Sequence, residues 1–330
     1  MQSVRLEGKA IVTGASGFIG RRLRDSLLDL GVDVLSIRRP SSPPSTRGRS
    51  VALSYDDSQA LAQLMADEAP DYVFHVAGVT KGVTFDDFRW GNVLPTRNLL
   101  HALRKAHPSV KRFVVVSSLT AYGPSAIDRP LVETDPRRPI EYYGQSKLEA
   151  ELVVQEETVV PWTIMRPSGV YGPGDVDYFE LFKQVRRGLD VYFGNRDFLF
   201  SSIYVDDLVS ALIFAAASPE TVGKGYFVCD GTPITWHKFQ SEIIRVSGRK
   251  RVWTLNLPRL TVDVAAWAGE LVTKFDHKPR LFNRQKAKMG AQPAWTCRSD
   301  ALRELGWTSD IQVPEGVQRT YDWYCVNGWM

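Results

Sequence analysis

The sequence predicts an α/β protein: a doubly wound parallel sheet with helices on both faces, followed by a smaller mixed C-terminal lobe. Three observations carry this. Short apolar runs alternate with helix-spaced segments through the first two-thirds of the chain. A glycine-spaced turn joins the first apolar run to the first helix. After about Gly172 the alternation loosens, and Pro, Gly and aromatic residues become frequent.

The elements follow in order. Ala10–Thr13 is a strand-like run, Arg21–Leu30 has helical spacing at Leu23, Leu27, Leu28 and Leu30, and Val32–Ile37 is the second strand. Tyr72–Val76, Phe113–Ser117 and Thr163–Met165 are further strands, with helices expected over Ser58–Glu68, Leu94–Ala106 and Gly144–Glu156. Arg39–Ser50, rich in Pro, Ser and Arg, reads as a surface loop. Residues 1–170 are thus expected to form the sheet domain. Residues 171–330 are expected to be mainly a second lobe over the C-terminal edge of the sheet, with 203–228 returning to the main core. Ligands of open α/β sheets bind at that edge.

The bulk numbers exclude several classes. The 330 residues are 24% charged and 44% hydrophobic, ordinary for a folded domain. A net charge of +4 is too small to point to nucleic acid. Cys229, Cys297 and Cys325 are far apart and odd in number, so neither a disulfide framework nor a metal site is expected. Reduced thiols and the lack of a signal-peptide pattern in the first twenty residues lead to the expectation of a cytoplasmic protein. No apolar run is long enough to span a membrane. Leu260–Phe275 is apolar but carries Asp263, Glu270 and Lys274, which reads as a packed amphipathic helix, with a membrane-surface helix as the alternative.

The turn Thr13-Gly14-Ala15-Ser16-Gly17-Phe18-Ile19-Gly20 sits between a strand and a helix. Glycines at 14, 17 and 20 allow a tight turn, close approach of a phosphate and close packing of helix on strand. The following helix N-terminus offers free N–H groups to a pyrophosphate. The expected ligand is a dinucleotide on a Rossmann sheet, and Gly14, Ser16, Gly17, Phe18, Ile19 and Gly20 are its expected contacts.

This spacing resembles the extended branch of the short-chain dehydrogenase/reductase family, the NAD-dependent epimerase/dehydratase superfamily. The likeness continues through Val76-Ala77-Gly78, Asn92-Val93 and the run Val116 to Gly123. It includes Tyr143-Gly144-Gln145-Ser146-Lys147, Arg166 to Gly174, Tyr204 to Asp207 and Asp300 to Trp307, so it spans nearly the whole chain in order. It implies an enzyme in which Ser118, Tyr143 and Lys147 are catalytic and Lys147 also holds the nicotinamide ribose. It further implies that Ser54 and Tyr55 lie beside the adenine, and that relatives dimerise through the two helices beside the sheet. A homodimer is expected on that ground.

The chemistry of the residues supports these roles. Tyr143 and Lys147 are four apart on an expected helix and share a face. A free phenol has a pKa near ~10, and a nearby ammonium favours its ionised form. Tyr143 can then exchange a proton with a hydroxyl or carbonyl. Ser118 would orient the substrate oxygen, with Ser117 and Thr120 close by. Val76, Ala77, Gly78 and Thr80 follow a strand and are expected to pass the ribose and nicotinamide. Asn92 supports that region or caps a helix, Ser117 lines the cofactor, and Pro167 and Ser168 flank the carboxamide. His75, in an apolar strand, reads as a core histidine.

The second strand ends Ile37-Arg38-Arg39, without the acid that takes ribose hydroxyls in NAD-binding units. A guanidinium pairs with a 2′-phosphate, so Arg38, with Arg39 or Arg21 assisting, favours NADP(H), with NAD(H) possible. Sugar-nucleotide dehydratases of the family carry acids where this chain has Leu119 and Thr120. Epimerases often carry an Asn where it has Gly169, and a cation in the stretch Leu199–Tyr204, which has none. The C-terminal lobe is aromatic, at Tyr178, Phe179, Phe182, Tyr192, Phe193, Phe198 and Phe200. The combination resembles the 3β-hydroxysteroid dehydrogenase and dihydroflavonol reductase side of the family. It leads to NADP(H)-linked reduction of a hydrophobic ketone or oxidation of the matching alcohol, on a small-molecule substrate. An epimerase with retained NAD, and a non-catalytic dinucleotide sensor or scaffold, are the alternatives.

Overall fold

The computed structural model describes residues 6–258, 261 and 284–330; apart from Thr261, the segment Leu260–Phe275 lies outside them. The strands in chain order are β1 (Lys9–Thr13), β2 (Asp33–Arg38), β3 (Arg49–Ala52), β4 (Tyr72–His75), β5 (Arg112–Val116) and β6 (Trp162–Pro167). The short strands β7 (Gly169–Tyr171), β8 (Leu189–Phe193), β9 (Leu199–Phe200) and β10 (Ser202–Tyr204) follow. Then come β11 (Lys224–Val228), β12 (Ile234–Thr235), β13 (Trp253–Leu257) and β14 (Ala294–Trp295). Helices α1 (Phe18–Asp29), α2 (Ser58–Glu68), α3 (Phe85–Phe88), α4 (Leu94–Ala106) and α5 (Tyr142–Gln155) accompany the sheet. Helices α6 (Phe179–Arg186) and α7 (Val205–Ala217) lie between β6 and β11 in the chain, and α8 (Trp236–Ser247) follows β11.

Seven parallel strands form the main sheet in the order β11-β6-β5-β4-β1-β2-β3. The order reverses between β1 and β4, which opens the crevice where ligands of such sheets sit. Both faces are covered, so the inner strands are apolar throughout. On β5, Val114 and Val116 join the cluster with Leu23, Leu27, Leu208 and Leu212 from α1 and α7. Phe113 and Val115 face the opposite way, onto Leu61, Met65, Leu99 and Leu103 of α2 and α4. The two-residue repeat of a strand puts these residues on alternate sides.

Two local differences from the sequence reading have simple causes. Arg49 and Ser50, expected in the surface loop, open β3. This edge strand is polar and half-exposed, so it carries no apolar run to reveal it. Helix α1 begins at Phe18, three residues before its helical spacing shows, because the glycine turn feeds directly into it.

The segment after β6 builds the second lobe. Its core is aromatic: Tyr171, Phe182, Phe200, Tyr204, Phe239 and Tyr324 pack together. Phe182 and Phe200 are buried in it, and Tyr192, on β8, is buried outside it. Helix α7 returns to pack on α1, and β11 adds the last strand beside β6.

Candidate active site

The crevice is built first by the glycine turn. Gly14 has φ +70°, and a β-carbon there would lie 2.7 Å from the Ala77 nitrogen. At Gly20 a β-carbon would lie 2.2 Å from the Gly14 carbonyl oxygen, so only glycine lets α1 sit this close to the turn. No side chain caps α1 at Gly17, and Ser16 and Gly17 are exposed. Phe18 and Ile19 form the half-buried first turn of the helix. Its N–H groups therefore face the crevice with an unspent dipole.

Thr13 joins this turn to the end of β4. Its hydroxyl accepts from the Val76 and Ala77 nitrogens at 3.1 and 3.0 Å and lies 2.8 Å from His75 Nδ1. His75 Nε2 contacts Thr96 Oγ1 at 3.0 Å. Burial pushes this imidazole down to about 3, so it is a neutral core group. Beyond it, Asn92 accepts from the Val79 nitrogen at 2.8 Å and donates to Ser146 Oγ at 2.8 Å. Asn92 lies in a π turn, Arg89–Val93, and ties the loop holding Gly78 and Thr80 to α5; it caps no helix.

At the end of β2, Arg38 is half-buried. Its Nη1 donates to the Ser42 carbonyl at 2.6 Å, and its buried Nε has no partner. Arg39 and Ser54 are exposed. The Tyr55 ring turns inward, edge-on to His75 at 6.4 Å, and burial pushes its phenol up to about 12. Arg21, expected to assist, extends instead to Gly174, close to Trp323.

Helix α5 brings the chemistry together. Glu141 caps it by accepting from the Tyr143 and Gly144 nitrogens, each at 2.6 Å. Gly144 lets the helix rest on the Thr120 carbonyl, at the turn that carries Ser118. The Thr120 nitrogen and hydroxyl both donate to Ser118 Oγ, at 3.2 and 3.0 Å. The Ser118 proton is thus left to donate outward. Lys147 is buried, donates to the Val116 carbonyl at 2.9 Å and places its ammonium 5.8 Å from the Tyr143 ring centre. Burial lowers Lys147 to about 8, against the opposing pull of Glu151. The Tyr143 phenol is pushed up by burial and then by Glu141, with the Ser118 hydroxyl opposing. In this state it holds its proton; the sequence reading stressed the ionised form.

Sequence reasoning missed what lies behind Lys147. Glu151, one turn further along α5, accepts from Arg166 Nε and Nη2, both at 2.9 Å, and from Ser117 Oγ at 2.5 Å. Arg137 lies 3.5 Å away. Arg166 stacks 5.0 Å over Tyr122. The Ser117 hydroxyl, expected on the cofactor, is therefore turned inward and spent. A lone arginine inside the apolar strand β6 was the available signal, since a buried charge needs a partner.

The groups present fit a dinucleotide. The glycine turn leaves room for a phosphate, and the α1 N-terminus is uncapped. Ser168 Oγ, beside the buried Pro167, has no partner although it is buried. Arg38 Nε is likewise free to pair. Among the described residues no group of His, Cys, Asp or Glu could hold a metal ion, and no helix is long and apolar enough to cross a membrane.

On the substrate side, Lys81 pairs with Asp177 at 3.3 Å, linking the loop after β4 to the loop before α6. At Gly169 a β-carbon would lie 2.3 Å from Tyr178 Oη. Tyr178 stacks on Trp236, which stacks on Phe200 at 4.1 Å.

The parallel sheet, the uncapped glycine turn and the Tyr–Lys helix beside a serine define a dinucleotide-binding oxidoreductase scaffold. The NAD dependent epimerase/dehydratase family matches residues 10–229, and the chain belongs to this family. It is 32% identical over 265 residues to a 3 beta-hydroxysteroid dehydrogenase/Delta 5-->4-isomerase of Mycobacterium tuberculosis, covering 74% of this chain and 70% of that protein. It is 28% identical to a ceramide reductase of Caulobacter vibrioides, covering 98% and 96%. The fold is also that of the UDP-glucose 4-epimerase of Thermotoga maritima: TM-score 0.78, 22% identity, covering 97% and 99%. With dehydrogenases and reductases as its relatives, the chain is an oxidoreductase of the short-chain dehydrogenase/reductase type.

Proposed function

We propose that this enzyme reduces a ketone on a fairly hydrophobic small molecule, or oxidises the matching secondary alcohol, with NADP(H). The observation that carries the choice of substrate is the contact between Tyr178 and Gly169. A phenol fills the space where sugar-nucleotide epimerases often carry an asparagine, and it leads into a stacked aromatic wall. Such a wall suits an apolar substrate. Relatives named for 3 beta-hydroxysteroids and ceramide support the same reading.

The residues divide the work as follows. The uncapped turn Ser16–Ile19 holds the pyrophosphate. Arg38 and Arg39 hold a 2′-phosphate, and Ser54 and Tyr55 border the adenine. Ala77, Gly78 and Thr80 flank the nicotinamide ribose, which Lys147 also holds, and Ser168 meets the carboxamide. The bound nicotinamide supplies or takes the hydride. Ser118 donates a hydrogen bond to the substrate oxygen, since Thr120 already occupies its acceptor side. In reduction, Tyr143 gives that oxygen its phenolic proton, and the Lys147 ammonium stabilises the phenolate left behind. A homodimer built on α4 and α5 and a cytoplasmic location complete the proposal.

The test is to feed NADPH with hydrophobic ketones and, separately, UDP- or GDP-sugars with NAD. Ketone-dependent NADPH oxidation is expected. Sugar epimerisation without ketone turnover would assign the protein to the epimerases instead.

A further inference from the structure

A second charged surface lies on the C-terminal lobe and takes no part in the chemistry above. A groove of about 570 Å³ is lined by Phe179, Lys183, Arg186, Arg187, Arg249 and Trp329: four cations, two aromatic rings and no carboxylate. Arg249 Nη2 donates to the Arg186 carbonyl, which joins the end of α6 to the turn after α8. The cationic run continues through Lys250 and Arg251 into β13. The Trp253 nitrogen donates to the Gly188 carbonyl at 2.8 Å, so β13 sits directly beside Arg187. Lys183 pairs with Glu180. Among the described residues Arg186, Arg187, Arg249, Lys250 and Arg251 are in no ion pair, and all five are exposed.

Strand β13 carries the apolar half of the surface. Thr254, itself exposed, donates across the strand pair to Asp190 at 3.3 Å, so Trp253 and Leu255 share the opposite face. Trp253 is 76% exposed and Leu255 46%. A tryptophan and a leucine left in water beside five cations with no ion pair among the described residues are poorly explained by folding stability. A bilayer surface satisfies both halves. Anionic headgroups attract the Lys and Arg side chains, and the indole favours the headgroup level.

We propose that the edge formed by Arg186, Arg187, Arg249, Lys250, Arg251 and Trp253 docks on the surface of an anionic phospholipid membrane. The attraction is electrostatic and weakens with salt. Trp253 and Leu255 enter the interface without spanning it. This inference is independent of the substrate reading, because none of these residues lies in the cofactor crevice.

The experiment is sedimentation of the full chain with phosphatidylcholine vesicles, and with vesicles in which a third of the lipid is phosphatidylglycerol. Binding to the anionic vesicles alone is expected, falling as salt rises. The combined variant Arg187→Ala, Lys250→Ala, Arg251→Ala should bind about a hundredfold more weakly. Trp253→Ser should bind severalfold more weakly. Unchanged dinucleotide binding shows that both variants are folded. Equal binding to both vesicle types, no binding to either, or an unaffected triple variant overturns the proposal. Tighter binding to duplex DNA than to the vesicles would assign the surface to nucleic acid and overturn it as well.

Discussion

Tyr178 holds its hydroxyl where any side chain at residue 169 would have to go, 2.3 Å from the position of a β-carbon there. Replacing Gly169 by Asn should therefore overpack the lobe and cost about 1–3 kcal/mol of stability. Adding Tyr178→Ala should recover part of that loss. Chemical denaturation of the single and double variants measures both effects. A Gly169→Asn protein as stable as the parent would show that the contact yields freely.

The Glu151–Arg166 pair is almost wholly buried, at 1% and 2% side-chain exposure. Removing one partner strands the other charge. Glu151→Gln should cost about 3–5 kcal/mol, whereas the double change Glu151→Leu, Arg166→Met should cost much less than the sum of its parts. Additive losses in urea unfolding would deny the coupling.

His75 makes stability depend on acidity. Its folded pKa of about 3 lies below the 6.5 of an unperturbed imidazole. Below pH 6.5 the unfolded chain takes up a proton that the folded chain refuses. Stability therefore falls as the pH drops through this window, by about 4 kcal/mol at pH 3 from this group alone. His75→Gln should lack this part of the acid dependence. Parallel stability–pH curves for the two proteins would mean that His75 does not titrate as its burial requires.

Arg38 has a buried nitrogen without a partner at the end of β2. If it meets a 2′-phosphate, Arg38→Ala should weaken NADPH binding by at least tenfold, about 1.4 kcal/mol, and leave NADH nearly unchanged. Calorimetry with both dinucleotides decides this. NADH bound more tightly than NADPH by the parent protein would reverse the proposed preference.

The parts legible in the sequence were those with short-range signals. The glycine turn, the four-residue spacing of Tyr143 and Lys147, and the apolar strands β1, β4 and β5 all announce themselves within a few residues. The parts that escaped depend on distant contacts. β3 is a polar edge strand held by pairing with β2. Glu141 matters because it caps α5 and raises the Tyr143 phenol. Ser117 and Ser118 are neighbours of like chemistry, yet the extended chain just past β5 sends one to Glu151 and leaves the other at Tyr143. Tyr178 was one aromatic residue among seven until the fold brought it to Gly169.

The most direct test of the central claim is the initial rate of NADPH oxidation with a panel of hydrophobic ketones, for the parent protein and Tyr143→Phe. The account predicts turnover by the parent. It predicts a loss of about 10²–10⁴-fold in the variant, with NADPH binding retained. A Tyr143→Phe protein that reduces the same ketones at the parent rate would contradict it.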